Sequence, residues 1–131
     1  MEIVGIGTDI VECPRIGRMI EEHGELFLTR VYTPREIRYC QARKNAMEHF
    51  AGRWAAKEAI LKCLGTGWRK GLCWTDLEIR NDFQGAPKVY ICGAAREQAQ
   101  QLRITDVLLS ISHCRAYATA TAVAVSGGKP Q

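Results

Sequence analysis

At 131 residues, 47% hydrophobic and 24% charged, the chain has the make-up of one soluble globular domain with a modest core. No apolar run approaches the roughly 20 residues of a bilayer-spanning helix, so no membrane association is expected. The net charge of +4 favours an acidic partner: a nucleic acid, a phosphorylated small molecule or an acidic protein.

Residues 2–11 read as a strand in which Val4, Ile6, Thr8 and Ile10 share one face. Asp9 then shares the other face with Gly5 and Gly7, whose missing side chains leave the backbone open to close approach. Two readings stand at this point: a ligand or metal beside the carboxylate, or a tightly packed strand with a terminal acid. The start of the chain puts Glu2 where a signal peptide needs a base, and glycine interrupts its apolar stretch. No secretion signal and a cytoplasmic location are expected. Six irregularly spaced cysteines (Cys13, Cys40, Cys63, Cys73, Cys92, Cys114), with no CxxC pair, read as free thiols. Three scattered histidines give a zinc site little support.

Pro14 and Gly24 bracket a short helix with Ile16, Met19 and Ile20 inward and Arg15 and Arg18 off that stripe. Thr33-Pro34-Arg35-Glu36 fits a capping box that opens a second helix. Residues 46–64 carry the strongest helical signal, with Gly65 placed to stop them. Phe50, Trp54, Leu61 and Leu64 form a core stripe with Lys57 inside it, where a lysine must snorkel, pair or hold a ligand. Glu58 and Lys62 project from a second face with Ala51 and Ala55, small residues expected to leave room above the pair. Two carboxylates, Asp9 and Glu58, meeting over one cavity would suit Mg²⁺, which keeps several waters and seldom receives a full protein cage. Lys62 and Arg53 would then neutralise phosphate charge. Further on, Leu77-Glu78-Ile79 and Val89-Tyr90-Ile91 read as a hairpin, residues 94–102 as a helix, and residues 107–112 and 117–125 as strands. Ala118, Ala120, Ala122 and Ala124 share one face of the last strand, inviting close approach. The expected fold class is α+β: a single small domain over residues 1–126, mostly antiparallel sheet on a long helix, with a flexible tail at 127–131.

Gly5-Ile6-Gly7-Thr8-Asp9-Ile10, followed by Phe50-Ala51-Gly52-Arg53-Trp54-Ala55-Ala56-Lys57-Glu58-Ala59-Ile60-Leu61-Lys62, resembles the two-part signature of the phosphopantetheinyl transferases. Gly65-Thr66-Gly67, Trp74-Thr75-Asp76-Leu77-Glu78-Ile79 and Ser110-Ile111-Ser112-His113 resemble stretches of the short, holo-acyl-carrier-protein synthase class of that family. The resemblance implies transfer of 4'-phosphopantetheine from coenzyme A to a serine of an apo acyl carrier protein, in fatty acid biosynthesis, releasing 3',5'-ADP. It implies Asp9 and Glu58 on magnesium, and Lys62 on the coenzyme A phosphates near the reacting centre. Arg53, Gly65 and His113 would line the nucleotide or its phosphates, and Arg15 and Arg18 would dock the carrier. A homotrimer with sites between subunits is implied as well. A carrier from polyketide or other secondary metabolism is the alternative substrate. The serine-proton acceptor stays open among Glu58, Asp9 and a metal-bound water. A nucleic-acid module is set aside, because no RNP-like aromatic pattern, helix-turn-helix or lysine stripe appears.

Overall fold

A computed structural model describes residues 1–65 and 71–127. Strand β1 (Glu2–Glu12) passes directly into helix α1 (Cys13–His23), with Pro14 in its first turn and Gly24, at φ 51°, past its end. Helix α2 (Glu25–Val31) follows at once. The sequence did not announce it, because seven residues span under two turns and give periodicity little to work on. Burial of Phe27, Leu28 and Val31 holds it in place. Helix α3 (Pro34–Gln41) opens with the expected capping box: the Glu36 amide donates to Thr33 Oγ1 at 3.2 Å, and the Thr33 amide to Glu36 Oε1 at 2.9 Å.

Helix α4 (Ala46–Leu64) has the predicted limits and ends on Gly65 in the left-handed region at φ 69°. A 3-10 turn (Trp74–Asp76) leads into the hairpin of β2 (Leu77–Asn81) and β3 (Pro87–Ile91). Asp82 Oδ1 ties its turn by accepting the amides of Gln84 and Ala86, each at 2.9 Å. Helix α5 (Gly93–Gln101) and strands β4 (Asp106–His113) and β5 (Tyr117–Ser126) complete the described chain. Of the expected tail, residues 128–131 lie outside the described residues.

The strands form two antiparallel sheets, ordered β1-β5-β4 and β2-β3. The alanine face of β5 is fully buried against α4, as its pattern anticipated. The glycine face of β1 meets the same helix: a Cβ on Gly5 would stand 2.5 Å from the Cys63 carbonyl oxygen, and one on Gly7 would run into that of Ala59. For these two positions the tightly packed reading holds, and the visitor is α4 itself.

Two expectations for α4 need correction. It does not bury a single stripe; Ala51, Ala55, Ala56, Ala59, Ile60 and Cys63 are as buried as Phe50, Leu61 and Leu64, the condition of a helix enclosed on most sides. The space above Ala51 and Ala55 is therefore filled by surrounding elements, while Glu58 stays partly and Lys62 largely exposed. Lys57 pairs rather than snorkels. Its Nζ donates to Glu36 Oε1 at 2.7 Å, to the Val31 carbonyl at 2.6 Å and to that of Trp74 at 3.2 Å. Glu36 Oε2 accepts the Ile79 amide at 2.9 Å, so one buried ion pair clips α2, α3, α4 and β2 together. Deleting one partner of such a pair costs about 3–5 kcal/mol, through the charge left behind.

Candidate active site

Asp9 and Lys62 meet because β1 crosses α4 without side chains in between. Gly5 lies on Cys63 and Gly7 on Ala59, so the strand runs antiparallel to the helix. Two strand residues, about 6.6 Å, match four helical ones, about 6 Å. One more step sets Asp9 at the turn from Ala55 to Glu58. Lys62 leans back toward the helix N-terminus, as helical side chains do. Its Nζ donates to the Thr8 carbonyl at 2.7 Å and stands 3.4 Å from Asp9 Oδ1. Its side chain is still 54% exposed, so the ammonium is anchored yet open to a ligand.

Burial holds the Asp9 carboxyl above the ordinary carboxylate range, although Lys62 and, secondarily, Arg15 pull it down. The acid is thus short of positive charge. A hard cation would supply that charge, and the oxygen donors Asp9 and Glu58 suit magnesium by their chemistry. No group of three or more His, Cys, Asp or Glu able to hold a metal occurs among the described residues. A site of this kind leaves most cation positions to water and substrate oxygens.

A second cluster gathers at the N-terminal half of α4. Arg53, 3% exposed, donates from Nη2 to Asn81 Oδ1 at 2.7 Å and to the Ile79 carbonyl at 3.4 Å. Its guanidinium lies 4.2 Å from the centre of the Tyr39 ring. Its Nε is buried, and no acceptor among the described residues meets it. These groups, with His49, Ile111 and His113, line a cleft of about 180 Å³. His113 Nδ1 lies 2.8 Å from Glu48 Oε1, and its ring sits edge-on to His49 at 4.8 Å. Burial, then the neighbouring His113, holds the His49 imidazole below its ordinary value.

The register Asp9–Ala120–Ile111 and Val11–Ala118–His113 puts Asp9 and His113 on the same face of the sheet. Two strand spacings across and two residues along, about 12 Å in all, separate them. Gly65 caps α4 three residues past Lys62, with no atom of the described residues other than its chain neighbours within 4 Å of where a Cβ would stand; Thr66 and Gly67 lie outside the described residues. Arg15 and Arg18 are exposed on α1. Sequence reasoning missed Glu48, His49, Tyr39 and Asn81. His49 carried a signal, since it precedes Arg53 by four residues on one helix. Tyr39 and Asn81 come from other elements, and only the tertiary fold delivers them.

Residues 5–122 match the model of the 4'-phosphopantetheinyl transferase superfamily. The holo-acyl-carrier-protein synthase of Koribacter versatilis is 48% identical over 121 residues, spanning 92% of this chain and 97% of its own. Among solved structures, the Neisseria meningitidis holo-acyl-carrier-protein synthase superposes with a TM-score of 0.87 at 34% identity, over 95% of this chain and all of its own. The Helicobacter pylori synthase, solved in complex with coenzyme A, does so with a TM-score of 0.81 at 32% identity, over 92% of this chain and 99% of its own.

Proposed function

The chain belongs to the 4'-phosphopantetheinyl transferase superfamily, and we propose that it transfers 4'-phosphopantetheine from coenzyme A to a serine of an apo acyl carrier protein. The observation that carries this reading is the glycine-cleared crossing of β1 on α4, which seats a strand aspartate beside a helical lysine. Asp9 and Glu58 are the residues that would hold magnesium. When bound, the cation neutralises pyrophosphate oxygens as charge builds on them. Lys62, fixed by the Thr8 carbonyl, presents a preplaced ammonium to the same oxygens as 3',5'-ADP leaves. The cleft around Arg53 and His113 receives the nucleotide phosphates, a role supported by the unpaired Arg53 Nε. Gly65, which carries no side chain over the backbone at the end of α4, faces the same ligand.

Helix α1 starts four residues after Asp9, and Arg15 already acts on the Asp9 carboxyl. An acidic carrier docked on Arg15 and Arg18 brings its serine toward that carboxylate, with the charge match guiding encounter. The proposed assembly is a homotrimer with sites between subunits. The outward face of the three-stranded sheet supports association: Ile6 is 68%, Ile10 67% and Leu108 52% exposed, large apolar side chains on one face of the sheet. A cytoplasmic setting in fatty acid biosynthesis completes the reading, in keeping with six free thiols. The test is to incubate the protein with coenzyme A, Mg²⁺ and an apo acyl carrier protein and to read the carrier's intact mass. A gain of one phosphopantetheine, lost with chelator, is expected; an unchanged carrier mass would refute the assignment.

A further inference from the structure

We propose that Glu48 is a positioning residue for nucleotide binding, acting through His113. This rests on the reading that the cleft takes the phosphates of coenzyme A. The Glu48 carboxylate lies 2.8 Å from His113 Nδ1, with side chains 18% and 27% exposed respectively. The bond to His113, with help from Asn45, lowers the Glu48 pKa below its ordinary value. At neutral pH Glu48 is therefore an acceptor only, and Nδ1 carries the hydrogen. A phosphate oxygen at the opposite edge of the ring is a second acceptor. Meeting both requires a hydrogen on each nitrogen, so the ligand binds an imidazolium clamped between carboxylate and phosphate. The arrangement parallels outer carboxylates that orient histidine ligands in metal sites.

The surroundings favour this division of labour. His49 packs edge-on against His113 and against Tyr39, which fixes the ring plane. His49 is itself held toward its neutral form, so it does not rival His113 as a cationic partner of the carboxylate. The other charged or titratable groups facing the cluster are Arg43 and Arg53, 4.1 and 4.2 Å from the Tyr39 ring centre, and the Cys13 thiol. Glu48 helps hold that thiol protonated. Glu48 stands 14 residues, about 21 Å, up α4 from Lys62, so its loss should act on binding rather than on the reacting centre.

The experiment compares wild type, Glu48→Ala, Glu48→Gln and Glu48→Ala/His113→Ala. Calorimetry gives 3',5'-ADP affinity from pH 6 to about 8.5, and ¹⁵N-detected NMR gives the His113 ring state in the complex. Glu48→Ala is expected to weaken 3',5'-ADP binding about tenfold at neutral pH. It should also raise the KM for coenzyme A with little change in kcat, and remove the imidazolium signature. Glu48→Gln, which keeps an acceptor oxygen, should fall between, and removing Glu48 should cost nothing more once His113 is gone. Unchanged affinity and ring state in Glu48→Ala, or additive losses in the double variant, would overturn the proposal. A wild type that binds no 3',5'-ADP would instead refute the nucleotide reading, and is seen before any variant is made.

Discussion

Asp9 is an acid kept at some cost to stability. Its carboxyl titrates above the ordinary value of 3.8, because burial outweighs Lys62. The unfolded chain releases that proton first as pH rises, so between the two values the folded state holds the extra proton. Stability therefore falls as pH climbs through that window, and the ionised form at neutral pH carries the penalty. Asp9→Asn should melt no lower than wild type, a stability gained at the expense of function. Millimolar Mg²⁺ should raise the wild-type Tm and leave that of the variant unmoved; equal shifts in both would remove Asp9 from the metal site. At this scale the sequence was readable where spacing does the work. Asp9 stood out from its neighbouring glycines and Lys62 from its four-residue interval to Glu58, and the fold brings Asp9 and Lys62 to 3.4 Å. Lys57 was flagged as having to snorkel, pair or hold a ligand, but Glu36 as its partner was not legible, because the Oε1 that accepts Lys57 is the one the cap already uses, and only the tertiary fold brings the two helices together.

The central crossing of β1 over α4 decides whether those residues meet. A methyl group on Gly7 collides with the Ala59 carbonyl and crowds the Lys62 Cβ, and backbone atoms inside a helix cannot step aside. Gly7→Ala should cost at least the upper part of the roughly 1–3 kcal/mol typical of overpacking, and pull Asp9 from Lys62 so that activity falls further than stability alone explains. Urea unfolding paired with turnover measures both, and a fully stable, fully active variant would contradict the crossing. Helix α4 was legible to the residue from its composition and Gly65. The burial of α4 on most sides was not, since alanine serves equally well on an exposed helix and beneath a sheet. Helix α2 escaped because its order comes from Phe27, Leu28 and Val31 packing on other elements rather than from local preference.

At the scale of the molecule, the proposed chemistry lies on the α4-facing side of the three-stranded sheet and exposed apolar side chains on the other. Ile6, Val123 and Leu108 align across the strands of that outer face, and if the proposed trimer forms through it, Ile6→Glu should give monomers by light scattering. A variant that stays trimeric would put the subunit contact elsewhere. Period-two alternation displayed this face in the sequence, but alternation alone cannot tell a core face from one awaiting a partner chain. The central claim is that one metal and phosphate centre, built from Asp9, Glu58 and Lys62, performs the transfer. It is tested most directly by following the intact mass of an apo carrier with wild type and Glu58→Ala side by side, at saturating coenzyme A and Mg²⁺. The account predicts full conversion by wild type and a loss of about 100-fold or more in the variant; a variant that converts the carrier at the wild-type rate would contradict it.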